Sequence, residues 1–177
     1  PVLGNNEIAQ RAHLPKPTVT RLTYTLTQLG YLNYSPESGK YSLSVGVLAL
    51  GYSFLASQDI RAIARPLMQE FADFARATVC LAARDQPHMV FLEVCQGNPT
   101  FQMRLEVGAR VPYGMTALGR AYHCGLGEDA RAAMLEEHRK TARKEDWEGF
   151  RASFEKAARE YQKNGFCVSL GEWNKDV

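Results

Sequence analysis

No stretch of this sequence approaches the roughly 18 consecutive apolar residues that a membrane-crossing helix requires. Its start, PVLGNNEIAQ, lacks the basic-then-apolar order of a secretory signal. A soluble, cytoplasmic protein is therefore expected. Repeats and low-complexity tracts are missing, and so is any CxxC pair. Cys80, Cys95, Cys124 and Cys167 lie 15, 29 and 43 positions apart, which excludes a zinc ribbon or a dithiol redox motif and fits reduced, partly buried thiols. His123 and Cys124 are adjacent, but neighbours on a helix diverge by about 100°, so one is poorly placed to activate the other. Carboxylates such as Glu106 and Glu172 could do acid-base work, yet no GxSxG, HExxH or glycine-rich phosphate loop accompanies them. No catalytic residue, metal or cofactor is expected. Charge is scarce too: a formal net charge of +2 does not by itself argue for a nucleic-acid partner. The small excess is uneven, since residues 1–57 hold Arg11, Lys16, Arg21 and Lys40 against Glu7 and Glu37.

What is present is a chain of 177 residues, 45% hydrophobic, enough for one large or two small domains with a buried core. It begins with proline and its last segment, GEWNKDV, follows closely on an expected strand, so it reads as trimmed at both ends. Asn5 or Asn6 can cap a short helix to Ala12 with Ile8, Ala9 and Ala12 inward. His13, Leu14 and Pro15 break it, and the two prolines mark a second start, because first-turn N–H groups need no partner inside a helix. Val19, Leu22, Leu26 and Leu29 then form an apolar stripe expected to face inward, and Gly30 supplies a left-handed stop. Thr18, Thr20, Arg21, Tyr24, Thr25 and Gln28 occupy the other face, with Thr23 and Thr27 read as solvated. Leu32 and Tyr34, the turn 35–39, and Tyr41 and Leu43 make a hairpin.

A helical stripe over 44–57 follows, made of Val45, Leu48, Ala49, Tyr52 and Leu55. A longer helix then has Ile60, Ile63, Ala64, Leu67, Met68, Phe71 and Phe74 as its expected buried face. Runs 78–85 and 89–96 read as paired strands around Gln86, Pro87 and His88, with 101–107 as a third strand and 108–112 as a turn. Thr116 can cap a helix from Ala117 to Cys124. Helices over 128–138 and 146–163 precede a last strand, FCVSLGEW. The class is α+β, divided as 1–43, a linker helix 44–58, and 59–177.

Two helices joined by a short turn, with small Ala9 under the crossing and Leu14, Val19 and Leu22 in the wedge, are the pattern of a helix-turn-helix, and the hairpin behind it is a wing. Such a second helix lies in the major groove of double-stranded DNA. Lys16, Pro17, Thr18, Thr20, Arg21 and Tyr24 are then the candidate contacts, with Arg21 able to fork onto guanine and Lys40 at the wing able to meet phosphate. An ordinary helical hairpin, or a winged helix used for protein contact, remains the alternative; an enzyme built on the α+β part is a further one. At the other end, the N–H groups of Ala117, Leu118 and Gly119 behind Thr116 form a helix start that attracts carboxylates. Phe101, Met103, Tyr113, Met115 and Trp173 could line an apolar pocket for an aromatic acid, or could simply be core.

NNEIAQRAHLPKPTVTRLTYTLTQLGYL, SGKYSLSVGVLALGYSFL, RVPYGMTALGRA and GFCVSLGEW, in that order, resemble the IclR family of bacterial transcriptional regulators. The resemblance implies a winged helix-turn-helix, a linker helix and a profilin-like or GAF-like effector-binding domain, here truncated. It further implies homodimers or homotetramers acting as repressor or activator of catabolic operons in response to small organic acids. Carried over by position, it assigns effector contacts to the backbone of Ala117 and Leu118 and to Glu172, beside which Met115 and Thr116 complete the candidate effector set.

Overall fold

A computed structural model of the chain describes residues 2–97, 105–141 and 144–173. Two compact units emerge, 1–59 and 60–177.

The first unit runs β1 (Leu3–Gly4), α1 (Asn5–Ala12), α2 (Lys16–Gln28), β2 (Leu32–Ser35), β3 (Lys40–Leu43) and α3 (Gly46–Ala56). Gly4, not an asparagine, caps α1, and its N–H donates to Glu7 Oε2 at 2.8 Å. Asn5 is freed to tie the helices together: its Nδ2 donates to Thr20 Oγ1 at 3.1 Å, and its Oδ1 accepts from the Thr23 hydroxyl at 3.3 Å. His13, at a left-handed φ of 53°, ends α1, and Pro15 caps α2 with Pro17 in its first turn. Gly30, at φ 77°, closes α2 as expected.

The inward line of α2 is Val19 and Thr23, at 1% and 3% exposure, facing Ala9. This corrects the sequence reading. Leu22, Leu26 and Leu29 are 49%, 38% and 62% exposed, because α1 meets α2 along the Val19–Thr23 line. Thr23 can be buried cheaply since its hydroxyl donates back to the Val19 carbonyl at 3.0 Å. Thr27 is half-buried and does the same to Thr23, at 2.8 Å. In the wing Leu32 pairs with Leu43 and Tyr34 with Tyr41, and β1 joins the free edge of β3. The α3 residues Leu48, Leu50, Tyr52 and Phe54 are exposed.

The second unit runs α4 (Asp59–Ala75), β4 (Thr78–Asp85), β5 (His88–Gln96), β6 (Arg110–Pro112), α5 (Ala117–Gly125), α6 (Glu128–Thr141) and α7 (Lys144–Asn164). Its sheet is antiparallel with β5 central. β6 lies where the sequence suggested only a turn. Of the expected third strand, residues 101–104 lie outside the described residues and 105–107 are not strand. FCVSLGEW is not strand either; its polar groups bond to α5 and the residues before it instead of to a ladder.

A bulge decides how the sheet is covered. Leu81 pairs with Glu93 but Ala82 with Phe91, so Leu92 is the extra residue and the side-chain alternation slips by one. Met89, Phe91 and Val94 therefore join the core with Val111, Tyr113, Met134 and Phe154. Glu93 and Cys95 turn to α4, where Glu93 accepts from Arg61 at 2.8 Å and Arg65 at 2.5 Å, and the Cys95 thiol donates to the Arg65 carbonyl. The packed face of α4 is thus Arg61, Met68 and Ala72, while the expected face is out: Ile60, Ile63, Leu67, Phe71 and Phe74 are exposed. Ala72 sits so close to Gly97 that a Cβ there would lie 1.7 Å from the Ala72 carbonyl oxygen.

On the other face α5 presses on the chain leading into it. A Cβ at Gly119 would lie 1.9 Å from the Tyr113 carbonyl oxygen. Gly119→Ala is expected to destabilise the unit by about 2 kcal/mol or more, because backbone must move on both sides of the contact. Urea denaturation checks this; an unchanged midpoint would mean that α5 is not held against Tyr113.

Candidate functional site

Every nucleic-acid candidate on α2, namely Lys16, Pro17, Thr18, Thr20, Arg21 and Tyr24, is exposed, as is Lys40 in the wing. Val19 and Thr23 hold the helix from behind, so this polar side is presented on a fixed backbone. Thr20 and Thr25 direct their hydroxyls to the carbonyls of Lys16 and Arg21, at 3.1 and 3.0 Å. In this state their methyls are the parts left facing outward. Thr20 is partly engaged by Asn5 as well, leaving Lys16, Thr18, Arg21 and Tyr24 as the less committed candidates.

In the second unit Thr116 caps α5 as expected, accepting from Gly119 N–H at 3.3 Å while donating to the Pro112 carbonyl at 2.8 Å. Gly119 is thereby removed from the expected set of open N–H groups, leaving Ala117 and Leu118. The segment after α7 is drawn to the same place: Ser169 donates to the Met115 carbonyl at 2.8 Å, and Arg120 Nη1 reaches the Val168 carbonyl at 3.1 Å. Arg120 also grips both carboxylate oxygens of Glu172, one at 2.8 Å. Met115, Thr116, Ala117, Leu118 and Glu172 are thus collected around the start of α5, with Glu172 already paired. That hydrogen bonding with Arg120 holds the Glu172 carboxyl below the usual range. Met115 is 46% and Trp173 38% exposed, whereas Tyr113 is core. Phe101 and Met103 lie outside the described residues.

Sequence reasoning missed Arg120, buried to 6% exposure, although it stands one helical turn after the Thr116 cap. It also missed what His123 does. His123 Nδ1 is 2.9 Å from the Tyr113 hydroxyl, and its ring packs on Phe154 at 4.4 Å between centroids. Burial, then the charge of Arg131, lower its pKa from 6.5 to about 4. Burial likewise raises Cys80 and Cys167 to about 11, so these thiols stay protonated at neutral pH. Among the described residues no group of three His, Cys, Asp or Glu could hold a metal ion, and no helix is long and apolar enough to cross a membrane.

A helix-turn-helix with a strand-paired wing, followed by an α+β unit, defines the class of two-part, winged-helix proteins. Residues 1–36 match the IclR helix-turn-helix domain and residues 52–177 match the bacterial transcriptional regulator IclR C-terminal domain. The chain belongs to the IclR family of bacterial transcriptional regulators. It is 34% identical over 99% of its length to the HTH-type transcriptional regulator TsaQ1/TsaQ2 of Comamonas testosteroni, spanning 64% of that protein. It is 30% identical over 76% of its length to the transcriptional repressor IclR of Escherichia coli, spanning 49% of it. A crystal structure of an IclR family regulator from Brucella abortus superposes with a TM-score of 0.90 at 44% identity, covering 99% of this chain and 66% of that one. An IclR homologue from Microbacterium hydrocarbonoxydans complexed with 4-hydroxybenzoate shares the fold, with a TM-score of 0.60 at 21% identity over 90% of this chain and 67% of that one.

The buried histidine gives a pH signature. The folded state keeps His123 neutral down to about pH 4, whereas the unfolded chain takes up its proton near the ordinary 6.5. Folding stability should hold above about 6.5 and fall as pH drops through that window. In His123→Gln this part of the slope should flatten, as followed by chemical denaturation at stepped pH; an unaltered slope would assign the titration to another group.

Proposed function

We propose that this chain is the DNA-reading and effector-sensing part of a ligand-responsive transcriptional regulator of a catabolic operon. The observation that carries this reading is the division of α2: Val19 and Thr23 are buried against α1 while Lys16, Thr18, Arg21 and Tyr24 stand exposed together. A helix so held is suited to a major groove, with Lys40 of the wing beside phosphate. The partners in this reading are double-stranded operator DNA, a second copy or three further copies of the chain, and a small carboxylate. A two-fold assembly places two such helices on a palindromic site. The work in this reading is binding, not catalysis: the Cys80 and Cys167 thiols are held protonated, and the buried His123 ring is engaged by the Tyr113 hydroxyl.

The effector in this reading is a small organic or aromatic acid. The open N–H groups of Ala117 and Leu118 favour a carboxylate, and Met115, two residues before Ala117, offers exposed apolar surface. The complex of an IclR homologue with 4-hydroxybenzoate supports the aromatic class. Binding of acid by one unit and of DNA by the other would be coupled reciprocally.

Fluorescence anisotropy with operator DNA tests the reading. Arg21→Ala should weaken binding and lower the slope of log K against log salt by about 1. Unchanged affinity and slope would point instead to a winged helix used for protein contact. Adding 4-hydroxybenzoate or other carboxylates to the full-length regulator should shift the operator affinity; identical affinity across the acids tested would remove the effector assignment.

A further inference from the structure

We propose that the cleft between α5, α6 and α7 is a binding site for a free α-amino acid with an apolar side chain, separate from the carboxylate site at the start of α5. The cleft is a cavity of about 340 Å³ whose walls include His123, Glu128, Arg131, Leu135, Phe154 and Ala158. That volume is at the small end of ligand pockets, which begin at roughly 300 Å³.

Two charges in the cleft have no partner among the described residues. Arg131 makes no ion pair or hydrogen bond through its side chain with any described residue, and its Nε is buried. Arg131 is half-buried, so one edge of its guanidinium stays open to the cleft while its Nε–H is enclosed. Glu128, one turn earlier on α6, has no ion pair among the described residues either. The two remaining charges of the cleft, Arg151 and Glu155, are satisfied together at 3.8 Å, with Glu148 also on Arg151 at 3.4 Å. Among the described residues one half-buried cation and one exposed anion, at neighbouring positions on one helix face, therefore remain open. A simple carboxylate on Arg131 would face Glu128, and a simple amine on Glu128 would leave Arg131 unmatched. A carboxylate and an ammonium carried on the same carbon satisfy both. Leu135 and Ala158, both half-buried, then receive the apolar side chain over the buried Phe154, and the neutral His123 ring adds no competing charge.

Isothermal titration of the full-length regulator with L-phenylalanine and L-leucine tests the site, with 3-phenylpropionate and 2-phenylethylamine as ligands lacking one charge. Saturable binding of at least one amino acid, tighter than either single-charge ligand, is expected. Arg131→Met should weaken it by about tenfold or more, the usual effect of losing a charge-assisted hydrogen bond. Glu128→Gln should weaken the amino acids without weakening 3-phenylpropionate. Ala132 is exposed on the rim, so Ala132→Phe should fold normally and close the cleft. The proposal is overturned if neither amino acid binds at millimolar concentration, if 3-phenylpropionate binds as well as L-phenylalanine, or if Ala132→Phe binds like the parent. A failed response of operator affinity to carboxylates would leave these results untouched, which keeps the two readings apart.

Discussion

The second unit depends on one extra residue in its central strand. Without the bulge at Leu92, strict alternation would place Met89, Phe91, Glu93 and Cys95 on a single face. That face would carry the Glu93 carboxylate toward the aromatic core of Tyr113 and Phe154 and away from Arg61 and Arg65. The slip hands Glu93 to Arg61 and Arg65 and gives Val94 to the core in exchange. A sheet that must be covered on both sides thus receives an ionic seam with α4 and an apolar one with α5–α7. Burying an ion pair is a poor source of net stability but a strong penalty on the wrong register, since a shifted α4 would strand the Glu93 charge.

The same point explains which parts of the fold were legible in the sequence. Periodicity located α2, α4, α5 and α7, and turn chemistry located the wing and the β4–β5 hairpin, because both are properties of a few neighbouring residues. Which side of a helix is covered is decided by a partner far along the chain. In α2 the leucine stripe looked inward, yet the helix rests on Val19 and a threonine whose hydroxyl is satisfied within its own turn. In α4 five large apolar residues looked buried, yet the helix packs through two arginines, a methionine and Ala72 because Glu93 stands opposite. No count of apolar residues on α4 could reveal that partner. The bulge leaves no local signature in MVFLEVCQ, so the sequence cannot disclose where the strand turns its carboxylate.

At the candidate sites the outcome divides similarly. Contacts that depend on local geometry were readable: Thr116 as a cap, and an exposed polar side of α2 carrying Arg21. Long-range partners were not. Glu172 was assigned to a ligand by resemblance, and in this state it is gripped by Arg120 from 52 positions earlier. The pair still leaves Glu172 close to the start of α5. It fixes the segment 168–173 against the start of α5, alongside the bond from Ser169 to Met115, so the backbone that a carboxylate would meet is set before the ligand arrives. Pre-set donors cost less to use than donors that must be ordered on binding.

α5 is consequently the element on which the unit's chemistry converges. Its first turn carries Thr116 and the open N–H groups of Ala117 and Leu118, its middle carries Arg120, and its last turn carries His123 between Tyr113 and the cleft that holds Arg131. Gly119 fixes the helix against the Tyr113 backbone at a distance that leaves no room for a side chain. A rigid nine-residue helix clamped in this way cannot yield at one end without moving the other. If both proposed sites are occupied, ligands at its two ends would be coupled through the position of the whole helix. The sign of that coupling is set by whether both ligands favour the same placement of α5, because each can shift the helix only by its difference in affinity for the two placements.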